Sequence, residues 1–198
     1  MTSEIIVIGA SLGGLDALRM LLSGLPSGFP VPLVIVQHRL SQAPDGLVEQ
    51  LQKSSALPVS EPEDKETIYN GHVYVAPADY HLLLERGSFS LSIDAPVLCA
   101  RPAIDVLFGS AADVYGNACI AIILTGASND GAAGLALIKM AGGVTVVENP
   151  ATAQCPLMPQ AAISASKIDY VLGLDKIAPL LIRLGKPTPL RKLRAERT

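Results

Sequence analysis

The stretch Ile5-Ile-Val-Ile-Gly-Ala-Ser-Leu-Gly-Gly14 decides the fold. Its apolar run predicts a buried strand, and the small residues that follow lead into an amphipathic segment, Leu15 to Leu25, so the whole reads strand, turn, helix. Such a turn in an α/β protein holds either a phosphate or a nucleophile. A dinucleotide site wants Gly-x-Gly-x-x-Gly, whose second glycine lets backbone approach pyrophosphate. Here the register is Gly9-x-Ser11-x-x-Gly14, with a hydroxyl where the diphosphate must come. The same turn displays that hydroxyl at the carboxyl edge of a sheet, beside helix N–H groups. A nucleotide binder also places an acid about 20 residues further on, to hold a ribose. This chain has Val34-Ile-Val-Gln-His38 there instead. Serine on one turn and histidine on the next point to acyl transfer, and a nucleotide-binding domain with a variant glycine loop is the weaker reading.

Outward from this unit, apolar runs alternate with helical patterns at βαβ spacing. Strands are predicted near Ile5–Ile8, Leu33–Gln37, Cys119–Leu124 and Val144–Val147, and helices near Leu15–Leu22, Asp45–Gln52, Ile104–Tyr115 and Ala132–Met140. Pro102 is read as lying just inside the first turn of the third helix. From about Thr67 to Ile93 the rhythm breaks. His72-Val-Tyr-Val-Ala76 and Ser88-Phe-Ser-Leu-Ser92, with Arg86-Gly87 between strands, read as antiparallel hairpins. The expected fold is a doubly wound, mostly parallel α/β sheet flanked by helices, with an antiparallel β-hairpin insertion. One domain over residues 1–185 and a basic tail over 186–198 are expected.

Composition narrows the function. The 198 residues are 49% hydrophobic and 17% charged, enough for a large core. The apolar runs fall far short of the roughly 20 residues of a spanning helix, so no membrane insertion is expected. Met1-Thr-Ser-Glu4 lacks the basic start of a secretion signal, and a cytoplasmic location is expected. A net charge of −3 leaves no overall footprint for nucleic acid. Three cysteines without C-x-x-C spacing (Cys99, Cys119, Cys155) argue against a disulfide framework or a zinc site.

In a doubly wound sheet, ligands bind beyond the carboxyl ends of the strands. Three turns there deliver Ser11, His38 and the loop Thr125-Gly-Ala-Ser-Asn-Asp130. Each residue has an ordinary explanation. Ser11 could cap the first helix, His38 could end a strand, and Asp130 could cap the helix that begins at Gly131. Together, at one sheet edge, they match what acyl transfer requires: a hydroxyl nucleophile, a base to take its proton, and a carboxylate to orient that base. The backbone N–H groups of Leu12 and Ala127 are candidate oxyanion donors. His72 and His81 could be imagined with His38 as a metal triad, but their spacing is not that of a zinc site; a structural or surface role is expected for them, and no metal or organic cofactor. Cys155 is a rival nucleophile that reads better as a small buried hydrophobe.

Six segments in order resemble the catalytic domain of bacterial chemotaxis protein-glutamate methylesterases (CheB). They are Ile8-Gly-Ala-Ser-Leu-Gly-Gly14, Val36-Gln-His38, Gly71-His-Val-Tyr-Val-Ala-Pro77 with His81, Arg101-Pro-Ala-Ile-Asp-Val-Leu-Phe108, Leu124-Thr-Gly-Ala-Ser-Asn-Asp-Gly-Ala-Ala-Gly134, and Met158-Pro159 with Ala161-Ala-Ile163. The resemblance covers about Ile5 to Leu172. It implies that Ser11 is the nucleophile, His38 the base and Asp130 the carboxylate. It also implies hydrolysis of γ-glutamyl methyl esters on the cytoplasmic helical region of chemoreceptors, with deamidation of glutamines in some members. Two positions depart from the family pattern: Leu12 stands where threonine is usual, and Ala127 where methionine is frequent. Typical members also carry an N-terminal receiver domain, whereas here the first catalytic strand begins at Glu4. A stand-alone esterase, one under a separate regulatory protein, and a trimmed piece of a longer chain all fit. A catalytically idle module that docks on receptors or partners through the same cleft is the alternative function.

Overall fold

A computed structural model describes residues 3–39 and 46–185. Its main sheet has seven parallel strands: β1 (Ile5–Ala10), β2 (Leu33–Gln37), β3 (Val59–Ser60), β4 (Val73–Val75), β7 (Cys119–Ile123), β8 (Val144–Glu148) and β9 (Tyr170–Leu172), in the spatial order β3-β4-β2-β1-β7-β8-β9. The remaining strands, β5 (His81–Glu85) and β6 (Ser88–Ser92), form a separate antiparallel hairpin that turns at Arg86-Gly87. Among the described residues six α-helices complete the fold: α1 (Gly14–Ser23), α2 (Leu47–Gln52), α3 (Ile104–Tyr115), α4 (Ala132–Met140), α5 (Leu157–Ala165) and α6 (Leu174–Leu184), with a 3-10 turn at Gly116–Ala118. No helix among the described residues is long and apolar enough to cross a membrane. Asp45 of the expected second helix and the expected tail at 186–198 lie outside the described residues.

Strand alternation sorts the apolar residues onto two faces. Ile6 and Ile8 of β1, with Leu33 and Ile35 of β2, pack on one side against Leu18, Leu21 and Leu22 of α1 and Ile177 and Leu181 of α6. Ile5, Val7, Val34 and Val36 pack on the other against Ile104, Leu107 and Phe108 of α3 and Leu135 and Ile138 of α4. Because both faces are covered, β1 and β2 read as unbroken apolar runs. Each such fully buried side chain contributes about 1.5–3 kcal/mol.

Two expectations need correction. His72-Val-Tyr-Val-Ala76 is no hairpin strand: Val73–Val75 pairs in parallel with both β2 and β3. Tyr74 makes the run look alternating, yet its ring is fully buried and its hydroxyl accepts the Tyr69 N–H at 3.0 Å. It therefore counts as core. Pro102 lies two residues ahead of α3, whose first residue is Ile104.

Candidate active site

β1 sits between β2 and β7, and the chain visits them in opposite directions from β1, so the crevice opens at the carboxyl ends of these three strands. A cleft of about 790 Å³ lies there, lined among others by Ser11, Leu12, Gly13, His38, Ala127 and Ser128. Parallel register sets its geometry. Ala10 pairs with Gln37, and the His38 N–H donates to the Ala10 carbonyl at 2.9 Å. Ser11 and His38 are thus the first residues past a matched pair, one on each strand. From the other side, the Ser11 N–H donates to the Thr125 carbonyl at 3.0 Å.

Neither Ser11 nor Asp130 caps the helix that follows it. Gly13, at φ 80, occupies the cap position of α1, and Gly131, at φ 92, that of α4. The Asp130 carboxylate instead reaches across to α3. Its Oδ2 accepts from Ile104 N–H at 2.7 Å and its Oδ1 from Asp105 N–H at 2.8 Å. Asp105 answers by accepting the Gly134 N–H of α4 at 2.6 Å. Burial pushes the Asp105 carboxyl above the usual carboxylate range. The two helices are locked by exchanged acidic caps, and Asp130 is immobilised as a consequence.

The third partner of Asp130 is His38, whose Nε2 lies 2.7 Å from Oδ2. The carboxylate side chain is fully buried and the imidazole 15% exposed. A carboxylate acceptor favours the tautomer with the proton on Nε2, which leaves Nδ1 with a free lone pair. The Ser11 hydroxyl makes no hydrogen bond to a described residue, and neither Leu12 N–H nor Ala127 N–H donates to one. The Ser11 hydroxyl, the His38 imidazole and these two backbone N–H groups thus belong to residues that line one cleft.

Sequence reasoning passed over the residues that hold these groups. The Gln37 amide nitrogen donates to the carbonyls of Ser11 (2.8 Å) and His38 (2.9 Å), tying the two turns together. Thr125 is held from three sides. Its N–H donates to buried Glu148 at 2.8 Å, its carbonyl takes the Ser11 N–H, and its hydroxyl donates to the Leu12 carbonyl at 2.9 Å. Burial raises the Glu148 carboxyl above its usual range, partly countered by the Thr125 N–H. Gly126 is small by necessity: a Cβ there would lie 1.9 Å from Met158 Sδ and 2.8 Å from Ser11 Cβ. One signal was available. Gln37 and Glu148 are each the polar residue at the carboxyl end of a mostly apolar strand.

The other candidates lie elsewhere. His72 stacks on Tyr74 with its Nε2 3.0 Å from Ser60 Oγ, and burial lowers its pKa. His81 is a buried clip: Nδ1 accepts the Ala103 N–H at 3.2 Å, so Nε2 donates to the Ala95 carbonyl at 3.1 Å. No group of three or more histidine, cysteine or acidic side chains among the described residues could hold a metal ion. Cys155 serves the site through its backbone, with N–H to Thr125 Oγ1 at 2.8 Å and carbonyl to Gly126 N–H at 3.1 Å.

The fold and the strand-end cleft define a doubly wound α/β domain with a ligand-sized site at the carboxyl ends of its strands, and comparison with known proteins narrows this further. The family model described as CheB methylesterase matches residues 6–181, and the chain belongs to that family. A Leptospira interrogans protein with the provisional designation protein-glutamate methylesterase/protein-glutamine glutaminase is 49% identical over 94% of this chain and 97% of its own length. A protein-glutamate methylesterase/protein-glutamine glutaminase of Anaeromyxobacter dehalogenans is 42% identical over 92% of this chain, which spans 54% of that longer protein. The crystal structure of the Thermotoga maritima CheB methylesterase catalytic domain superposes with a TM-score of 0.87 at 38% identity, over 93% of this chain and all of the other.

Proposed function

We propose that the chain is a serine hydrolase that removes methyl groups from glutamate γ-methyl esters of proteins, with chemoreceptors as substrate in the cytoplasm. The observation that carries the reading is the 2.7 Å contact between His38 Nε2 and a buried Asp130 that also caps α3, with Ser11 and His38 each directly following a paired strand residue. In this scheme His38 Nδ1 takes the proton as Ser11 Oγ adds to the ester carbonyl. The oxyanion that forms accepts from the N–H groups of Leu12 and Ala127. Collapse breaks the bond to the methoxy oxygen, which leaves as methanol with the proton returned by His38. Water, deprotonated by the same nitrogen, then cleaves the acyl-enzyme to glutamate and restores Ser11. A glutamine amide enters the same cycle with ammonia as leaving group, which makes deamidation a second expected activity. Because only backbone donors face the oxyanion, Leu12 and Ala127 change the cleft wall without removing a catalytic group. Ser11→Ala tests the reading through methanol release from a methylated receptor fragment. Release ceases in a folded variant if the reading holds, and persists if it does not.

A further inference from the structure

The charges along the cleft are not all neutralised within the protein. Arg39 is paired with Glu61, and Asp16 with Arg19 at 3.7 Å; Asp79 is exposed on the rim. Arg101 differs. It lines the cleft half-buried, and forms no ion pair with any described carboxylate. Nη1 donates to the carbonyls of Ile93 (2.9 Å) and Asp94 (3.1 Å), while Nε is buried with no hydrogen-bond partner. The Asp94 carboxylate is turned to Ser92 Oγ at 2.7 Å. The wall that carries Arg101 is fixed at both ends by the buried His81, which bonds Ala95 and Ala103.

A guanidinium stays charged at every accessible pH, and taking it partly out of water without a counter-charge is costly. Two carbonyls supply acceptors but no opposing charge. The missing counter-charge belongs to a ligand, and a cleft of this size holds more than the one side chain that reaches Ser11. On the hydrolase reading above, we propose that Arg101 binds a carboxylate of the protein substrate adjacent to the ester under attack, and so selects methylated glutamates that have an acidic neighbour. Arg101 is a specificity residue here. It touches substrate away from the reacting atoms, and it favours sites whose neighbours are already demethylated, because each turnover converts a neutral ester into a carboxylate.

The test uses helical peptides with a single γ-methyl glutamate, flanked three and four residues away by Glu or by isosteric Gln. The intact protein is expected to prefer the Glu-flanked peptide in kcat/KM by about 10- to 100-fold at low salt, the worth of a charge-assisted hydrogen bond. That preference should shrink as salt is raised. In Arg101→Gln it should disappear while turnover of the Gln-flanked peptide is retained, and Arg101→Glu should prefer a Lys-flanked peptide. Equal loss on both peptides in Arg101→Gln assigns the residue to wall support only and overturns the proposal, as does the absence of any preference in the wild type. Dissociation constants of the Ser11→Ala protein for the same peptides read the contact without chemistry. Binding preference without wild-type turnover would sink the hydrolase reading alone, whereas turnover without binding preference would sink the role of Arg101 alone.

Discussion

The two ends of the sheet treat polar groups in opposite ways. At the carboxyl end, Gln37, Thr125, Asp130 and Glu148 are all buried: Gln37 and Thr125 bond the backbone of the turns that carry Ser11 and His38, Glu148 bonds the Thr125 N–H, and Asp130 bonds the start of α3 and the His38 ring. At the amino end, a smaller hollow of about 380 Å³ is lined by Glu4, Arg86 and Tyr115. There Arg86 pairs with Glu4 at 3.5 Å and lies 5.7 Å from the Tyr115 ring, with its side chain 72% exposed. Polar contacts of the first kind fix geometry, since an unmade buried bond costs about 1–3 kcal/mol. Those of the second kind are worth about 0–1 kcal/mol and hold nothing in place. Burial of the polar groups, more than their number, separates an end built for chemistry from an ordinary surface.

Mutation can break this contrast in graded steps. Ser11→Ala is expected to lower kcat by about 10⁴- to 10⁶-fold with the urea midpoint unchanged. Asp130→Asn should cost about 10⁴-fold in kcat through loss of His38 orientation, and also about 1–2 kcal/mol of stability through the weakened α3 cap. A variant that loses stability alone would separate the cap from the chemistry. Gln37→Leu fills the same space but leaves the Ser11 and His38 turns untied. Misplacement on the scale of 1 Å predicts a loss of about 10²-fold in kcat, read by turnover at saturating substrate.

Glu148 supplies a pH test. Its carboxyl is raised by burial, so between the ordinary glutamate value and its folded value the native state binds a proton that the unfolded chain has released. Stability owed to this group therefore falls as pH rises through that window. Glu148→Gln keeps an acceptor for Thr125 N–H and removes the titration. Urea midpoints measured from pH 4 to 7 should move in the variant's favour with rising pH, and movement toward the wild type contradicts the sign. The smallest effect belongs to the other end, where Arg86→Ala should change stability by no more than about 1 kcal/mol and leave turnover untouched.

The same contrast explains what could be read from the chain. Strands β1, β2, β7 and β8 and helices α3 and α4 were legible because continuous apolar runs and a 3.6-residue period report burial directly. Strands β3 and β9 were not: at two and three residues they are too short for any period, and they form the sheet's two edges. Helices α5 and α6 escaped notice because each contains a proline, Pro159 and Pro179, which usually argues against a helix. At the site, strand ends alone place Ser11 and His38 at one edge. That Asp130 would cap α3 rather than its own helix depends on the packing of α3 against α4, which no local pattern encodes. The same holds for Arg101, whose wall is positioned by His81, a residue whose structural role spacing suggested without saying what it holds.

On the proposed reading, Ser11 is made reactive by a base that Asp130 orients. Peptide mapping by mass spectrometry after reaction with a fluorophosphonate tests it most directly. A single adduct on Ser11 is expected in the wild type, strongly reduced in His38→Gln and in Asp130→Asn. An adduct on another residue, or a Ser11 adduct that forms equally fast without His38, would contradict it.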